Sequence, residues 1–185
     1  MMHSALHPGY SRIDGMGVIA RRDVPMGTAL WWPCPRCAVV PIGELAAMPP
    51  EVRRWIDEYG YRRADGGLIT PCGGAFLLNH SCAASVLDIG LSVGIAVRDI
   101  HAGEEVTCDY RGFRYEQPWR FRCRCGSGEC VGTVESTGGF PAPALMGAWI
   151  ARVETALAAA ATVPQETTVL GGDIHGEPIA GGEES

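Results

Sequence analysis

The chain contains no lysine. All 15 of its basic residues are arginine, as a GC-rich coding sequence would produce. A long apolar run is missing too. Met1 to Ser11 holds no hydrophobic stretch that could serve as a secretion signal. The most apolar segment, Pro141 to Thr162, is interrupted by Arg152 and Glu154, which argues against a membrane span. A soluble, cytoplasmic protein without membrane contact is therefore expected. No internal repeat is visible, which excludes a solenoid. Excess positive charge is also absent, the net charge being −6. Residues 162–185 carry five acids and no arginine, so the remainder sets 16 acids (21 − 5) against 15 bases. General affinity for nucleic acid is not expected of such a balance.

What is present points to one domain with a core of its own, since 185 residues leave little room for a second. Gly and Pro total 38 (25 + 13), about a fifth of the chain. That density favours short strands and many turns over a helix bundle, so the fold is expected to be mainly β with short helices. Eight cysteines in a cytoplasmic chain suggest metal ligands or reduced thiols rather than disulfides. Cys123, Cys125 and Cys130 bring three thiolates onto one loop, and a tetrahedral structural site needs a fourth soft ligand. Cys34 and Cys37 form a second pair, with Cys72 as a possible third member. No fourth ligand is evident for them, and they read as reduced packing thiols.

Along the chain, residues 17–32 read as short strands around the Pro25-Met26-Gly27 turn. Pro49-Pro50 opens a helix to Tyr59, with Val52, Trp55, Ile56 and Tyr59 on one face and Gly60 ending it. Residues 66–74 form a Gly-rich loop around Leu68-Ile69, and residues 85–97 a hairpin whose better strand is 92–97. A second helix spans about 144–161, with Leu145, Ala148, Trp149, Arg152, Val153 and Ala156 along its stripe. The expected division is a domain over 1–135, a C-terminal helix over 141–161, and a disordered acidic tail over 162–185.

Three signals follow one another between residues 77 and 130. They are Leu78-Asn79-His80-Ser81-Cys82, then Gly103-Glu104-Glu105-Val106-Thr107-Cys108-Asp109-Tyr110, then Cys123-x-Cys125-x4-Cys130, with Gly15-Met16-Gly17 upstream. In that order, over roughly residues 10–135, they resemble a SET domain with a post-SET zinc motif at about 121–133. This is the fold of a large class of protein-lysine methyltransferases. The resemblance implies a β-clip fold with a pseudoknot, in which the Asn-His segment threads beneath the strand bearing the catalytic tyrosine, against the usual rule.

The resemblance also implies S-adenosylmethionine (SAM) as methyl donor. Its contacts would be Gly15, Met16 and Gly17, where the two glycines, lacking a Cβ, permit close approach, together with Asn79, His80 and Tyr110. It implies a structural Zn2+ held by Cys82, Cys123, Cys125 and Cys130, and makes Tyr110 the catalytic residue. Cys108 stands where the family commonly carries Phe or Tyr, a choice that limits how many methyls fit. The smaller cysteine implies a roomier pocket, open to di- or trimethylation or to an amine other than peptidyl lysine. Tyr59 and Tyr61 are expected in the substrate pocket, with Phe113, Trp119 and Phe121 as further aromatic candidates.

Two positions depart from the family pattern: Phe76 replaces an arginine, and Ala84-Ser85 replaces Pro-Asn. The implied partner is a protein or peptide carrying lysine, and a lysine-free chain cannot modify its own side chains. About 40 residues, Val40 to Leu78, separate the first strands from Asn79, so one wall of the groove is short and modest sequence selectivity is expected. A same-fold methyltransferase of a small amine or natural-product peptide is the alternative. A non-catalytic SAM-holding or zinc-stabilised interaction module would have lost the tyrosine or the Asn-His, and neither is lost.

Overall fold

A computed structural model describes residues 1–34, 37–62, 68–88, 93–113, 119–136 and 141–167. Frequent Gly and Pro keep its strands to between two and five residues. In chain order they are β1 (Leu6–Tyr10), β2 (Met16–Ala20), β3 (Ala29–Trp31), β4 (Ala38–Val40), β5 (Tyr61–Arg62), β6 (Leu68–Thr70), β7 (Asn79–His80), β8 (Val86–Leu87), β9 (Gly94–Ala96), β10 (Glu105–Cys108), β11 (Arg120–Arg122) and β12 (Thr133–Glu135). The α-helices are α1 (Ile42–Leu45), α2 (Pro50–Tyr59) and α3 (Pro143–Ala160).

The main sheet runs β1-β2-β10-β8-β9-β3, and β7 also pairs with β10. Val18, Ala20, Leu30, Val86, Ala96, Ile100 and Val106 pack beneath it with Ala5 and Leu6. The hairpin partner β1, paired with β2 from Leu6↔Ala20 to Tyr10↔Met16, lies ahead of the first strand expected from sequence. The expected mainly-β architecture with short helices is the one observed.

The crossing that organises the site sits on β10. Cys108 pairs in parallel with His80 of β7 and also in parallel with Val86 of β8. A strand residue has only two edges, so residues 81–85 must carry the chain across β10 from one edge to the other. Parallel crossovers ordinarily need a dozen or more residues. Here five suffice because the chain clips around the end of one strand, which is the pseudoknot the resemblance implied.

Residues 38–71 between β3 and β7 contain a three-stranded sheet, β4-β6-β5. Helix α2 closes it by placing Ile56 on Val40 and Leu68. Its stripe is narrower than the periodicity suggests: Ile56 is buried, whereas Val52 and Trp55 are exposed. Gly60 ends α2 in extended backbone, φ −88° and ψ 159°, rather than in a left-handed cap. Glycine is needed there because a Cβ would lie 2.5 Å from the Ile56 carbonyl oxygen. The hairpin expected over 85–97 is seen as the β8–β9 pair, and residues 89–92 at its tip lie outside the described residues.

Helix α3 buries Trp149, Val153 and Ala156 against Ala84, Leu87, Ile95 and Val97. Ala148, expected on the stripe, is exposed. The start of the expected tail is docked rather than free. The Gln165 side chain accepts from the Ala29 N–H at 2.9 Å and donates to the Gly27 carbonyl at 2.9 Å. Glu166 accepts from the Ser4 N–H at 2.7 Å. Residues 168–185 lie outside the described residues.

Gly27 is the hinge of this packing. Its φ is +90°, and a Cβ there would meet backbone atoms of α3: Ala160 N at 2.7 Å, Ala156 O at 2.8 Å and Ala159 C at 2.9 Å. Backbone cannot rotate aside as a side chain can. Left-handed strain and overpacking together should make Gly27→Ala destabilising by about 2–4 kcal/mol, read as a shift in the denaturant midpoint without a change in slope.

Candidate active site and thiolate centre

The site is built where β10 runs out beneath the 79–85 crossing. Alternation along β10 sends Cys108 and, two residues on, Tyr110 toward the same point, the carbonyl oxygen of Leu78. The Tyr110 hydroxyl donates to it at 2.7 Å, and the Cys108 thiol approaches at 3.7 Å. Cys108 is buried, and burial pushes its thiol pKa far up, so it stays a neutral –SH. Tyr110 is half-buried and opens a single 3-10 turn, Tyr110–Gly112. Asp109 caps that turn by accepting from the Arg111 N–H at 3.1 Å.

His80 supports this arrangement from below and is 2% exposed. The Tyr110 N–H points at His80 Nδ1 at 3.1 Å, and an N–H can only donate. Nδ1 is therefore the acceptor, and the ring proton sits on Nε2, 3.3 Å from Cys82 Sγ. Burial lowers the His80 pKa despite Asp109 nearby, which keeps the ring in this neutral form. Both ring nitrogens are thus committed inside the protein. One imidazole links the tyrosine backbone to a cysteine of the thiolate centre.

Asn79, on the strand beside Thr107, turns its amide toward the Gly15–Gly17 loop. Its Nδ2 lies 3.0 Å from the Asp14 carbonyl, 3.0 Å from the Met16 carbonyl and 2.9 Å from Glu105 Oε1. Its Oδ1 accepts no hydrogen bond from a described residue, leaving one acceptor on the site. Glu105 is held by the Ser11 hydroxyl at 2.7 Å and the Arg12 N–H at 3.3 Å. Gly17 makes this convergence possible, because a Cβ there would lie 2.4 Å from Glu105 Oε1 and 3.2 Å from Asn79 Nδ2. Gly15 serves differently, by taking a φ of +47° in the turn.

The sulfurs of Cys82, Cys123, Cys125 and Cys130 all lie within 4.8 Å of one another. Cys82 and Cys123 are 3.9 Å apart, against about 3.8 Å for two thiolates on a tetrahedral ion with 2.3 Å bonds. The Ser127 hydroxyl lies 3.3 Å from Cys125 Sγ. Burial pushes the Cys125 pKa up, but hydrogen bonds from Ser127 and backbone outweigh it and bring the thiol to about 6. This donor set suits a closed structural site for a soft divalent ion. Across it, the β11–β12 hairpin lays Phe121 over both His80 and Tyr110, with centroids 5.6 and 6.0 Å apart, and stacks Phe121 on Trp119 at 5.7 Å. Phe113 packs on Tyr110 at 5.5 Å.

Tyr59 joins a second aromatic cluster, 5.9 Å from Trp55 and 5.4 Å from Phe76. Phe76, which departs from the family pattern, thus links the α2 wall to the segment leading into Leu78. Tyr61 lies in β5, and its side chain is outside the described residues. The sequence reading missed the Leu78 carbonyl and Glu105 as parts of the site. A backbone oxygen has no side-chain signature. Glu105, by contrast, could have been found from its position opposite the Gly-x-Gly strand.

The model of the SET domain family matches residues 15–111, just over half of the chain, and the chain belongs to that family. Among solved structures it is similar to KRYPTONITE in complex with mCHG DNA and SAH, with a TM-score of 0.51 and 20% identity. That match covers 69% of this chain and 28% of the other, so this chain spans under a third of that protein. At this identity the likeness is one of fold. No curated protein sequence matches.

Proposed function

We propose that the protein transfers a methyl group from SAM to the side-chain amine of lysine in a protein or peptide. The observation that carries this reading is the convergence of Tyr110, Cys108 and the Leu78 carbonyl beside the contact of Asn79 with the Gly15–Gly17 segment, in a chain of the SET family. SAM supplies a sulfonium methyl: a nitrogen–carbon bond forms as the carbon–sulfur bond breaks, and sulfur leaves with the electron pair as SAH. SAH accompanies KRYPTONITE in its solved structure, which supports the same donor here.

The residues align rather than react. Asn79, through its Oδ1, which accepts from no described residue, suits the ammonium of the donor's amino-acid end, and Gly15, Met16 and Gly17 line that approach. Tyr110, fixed through its hydroxyl and its backbone N–H, orients the acceptor amine. The Leu78 oxygen offers a weak C–H···O contact to a methyl. The amine must arrive neutral, and an apolar surround such as Phe113, Phe121 and Cys108 disfavours its charged form. A lysine-free chain offers no lysine of its own to compete with substrate. Cys82, Cys123, Cys125 and Cys130 would hold a structural Zn2+ that pins the hairpin carrying Phe121.

The test is calorimetric titration of SAM into the full chain. One site per chain is expected, weakened at least 10-fold in Asn79→Ala; absence of binding, or equal affinity in the variant, would defeat the assignment. Cys108 then sets the product. Its side chain is smaller than the aromatic common in the family, so wild type should form di- or trimethylated product and Cys108→Tyr only the monomethyl form. Mass spectrometry reads the difference, and monomethyl product from both proteins would contradict the roomy pocket.

A further inference from the structure

The insert carries a second thiol cluster that the methyl-transfer reading does not use. Cys37 stands immediately before β4 with Cys34 three residues ahead of it, and Cys72 lies two residues after β6, so the two ends of the 38–71 insert meet at three sulfurs. Their separations are 3.4 Å for Cys34–Cys72, 3.6 Å for Cys37–Cys72 and 3.9 Å for Cys34–Cys37. Thiolates on one tetrahedral ion with 2.3 Å bonds stand about 3.8 Å apart. A disulfide needs about 2.05 Å and would leave the third thiol over.

The main-chain groups of Cys34 and Cys37 are placed accordingly. The Cys37 N–H donates to the Cys34 carbonyl at 2.9 Å, and the Cys34 N–H points at Cys37 Sγ at 3.4 Å, a donor suited to a thiolate. Cys37 is buried against Trp31, Ile69 and Ala75, while Cys34 and Cys72 keep partial exposure. An ion seated among them would therefore have three protein sulfurs, one buried and two half-buried.

We propose that Cys34, Cys37 and Cys72 form a second thiolate site for Zn2+, separate from the Cys82 centre, that staples the base of the insert. Soft sulfur donors select this class of ion. The insert has reason to need it, because its own apolar cluster is small, centred on Val40, Ile56 and Leu68. The staple also acts at the site. Cys72 leads through the 3-10 turn Ala75–Leu77 into Leu78, whose carbonyl receives the Tyr110 hydroxyl. The insert wall bearing Trp55 and Tyr59 and the acceptor carbonyl are thereby referred to one fixed point.

Zinc per chain, measured on the reconstituted and desalted full chain, tests the proposal. Wild type should hold two equivalents, and both Cys37→Ser/Cys72→Ser and Cys123→Ser/Cys125→Ser one each. Equal zinc in wild type and Cys37→Ser/Cys72→Ser would overturn it. If only the Cys82 centre has been misread, wild type holds one equivalent that the Cys37→Ser/Cys72→Ser pair loses. Should that pair fail to fold, cysteine alkylation of zinc-loaded wild type decides. Protection of Cys34 and Cys72 that chelation removes supports the site, and alkylation of both in the loaded protein overturns it.

Discussion

Tyr110→Phe should bind SAM with little change in affinity yet transfer methyl about 10²–10³-fold more slowly, the usual cost of removing one preorganised polar group at a reacting centre. The substitution deletes one oxygen and leaves the backbone bond to His80, so the 3-10 turn and the core beneath it persist. What is lost is the anchor to the Leu78 carbonyl, 2.7 Å from the hydroxyl, and with it the fixed oxygen that orients the amine. Single-turnover rates beside calorimetry separate the two quantities. A variant that turns over at the wild-type rate would remove Tyr110 from the catalytic role, whatever its affinity for SAM.

The second large effect is expected from the Cys82 centre. Strong chelation, or Cys123→Ser, should unfold the hairpin of β11 and β12 and abolish methyl transfer. Structural zinc in small domains contributes roughly 10–16 kcal/mol of apparent binding energy to folding, and an isolated two-stranded hairpin is marginal without such help. Here Val134 is the buried apolar residue of the hairpin, and it packs on Cys82 and Cys123 themselves. Losing the ion would free Phe121 from His80 and Tyr110 and leave the Nε2–H of His80 facing an unanchored thiol. Hydrogen exchange should show the amides of 119–136 losing protection before those of the main sheet. Full activity and unchanged exchange after complete metal removal would contradict this coupling.

How far the sequence reached depended on what kind of group each role needs. Asn79, Tyr110 and the four cysteines carry their chemistry in side chains and in a fixed order, and the structure gathers the four sulfurs within 4.8 Å of one another. The Leu78 carbonyl carries its chemistry in the backbone, where every residue looks alike, and only the crossing of residues 81–85 over β10 reveals it. His80 was legible as a site residue but not as a link, since its two partners come from the tyrosine backbone and the thiolate centre. Periodicity alone overstated the buried face of α2, because the insert sheet is small enough for Ile56 to cover while Trp55 stays exposed against half-buried Tyr59 and Phe76. Composition likewise hid the docking of residues 165 and 166, whose polar side chains satisfy main-chain groups of Gly27, Ala29 and Ser4 rather than joining a core.

The central claim is methyl transfer to a lysine amine, and its most direct test is the identity of the labelled atom. The full chain is incubated with methyl-labelled SAM and a fractionated lysate, and the labelled macromolecular fraction is hydrolysed to amino acids and separated. Label recovered as methyllysine with wild type, and lost with Tyr110→Phe, is the predicted result. Tyrosine-dependent label confined to small amines or short peptides would contradict the protein substrate, and no label in any fraction would contradict the reaction itself.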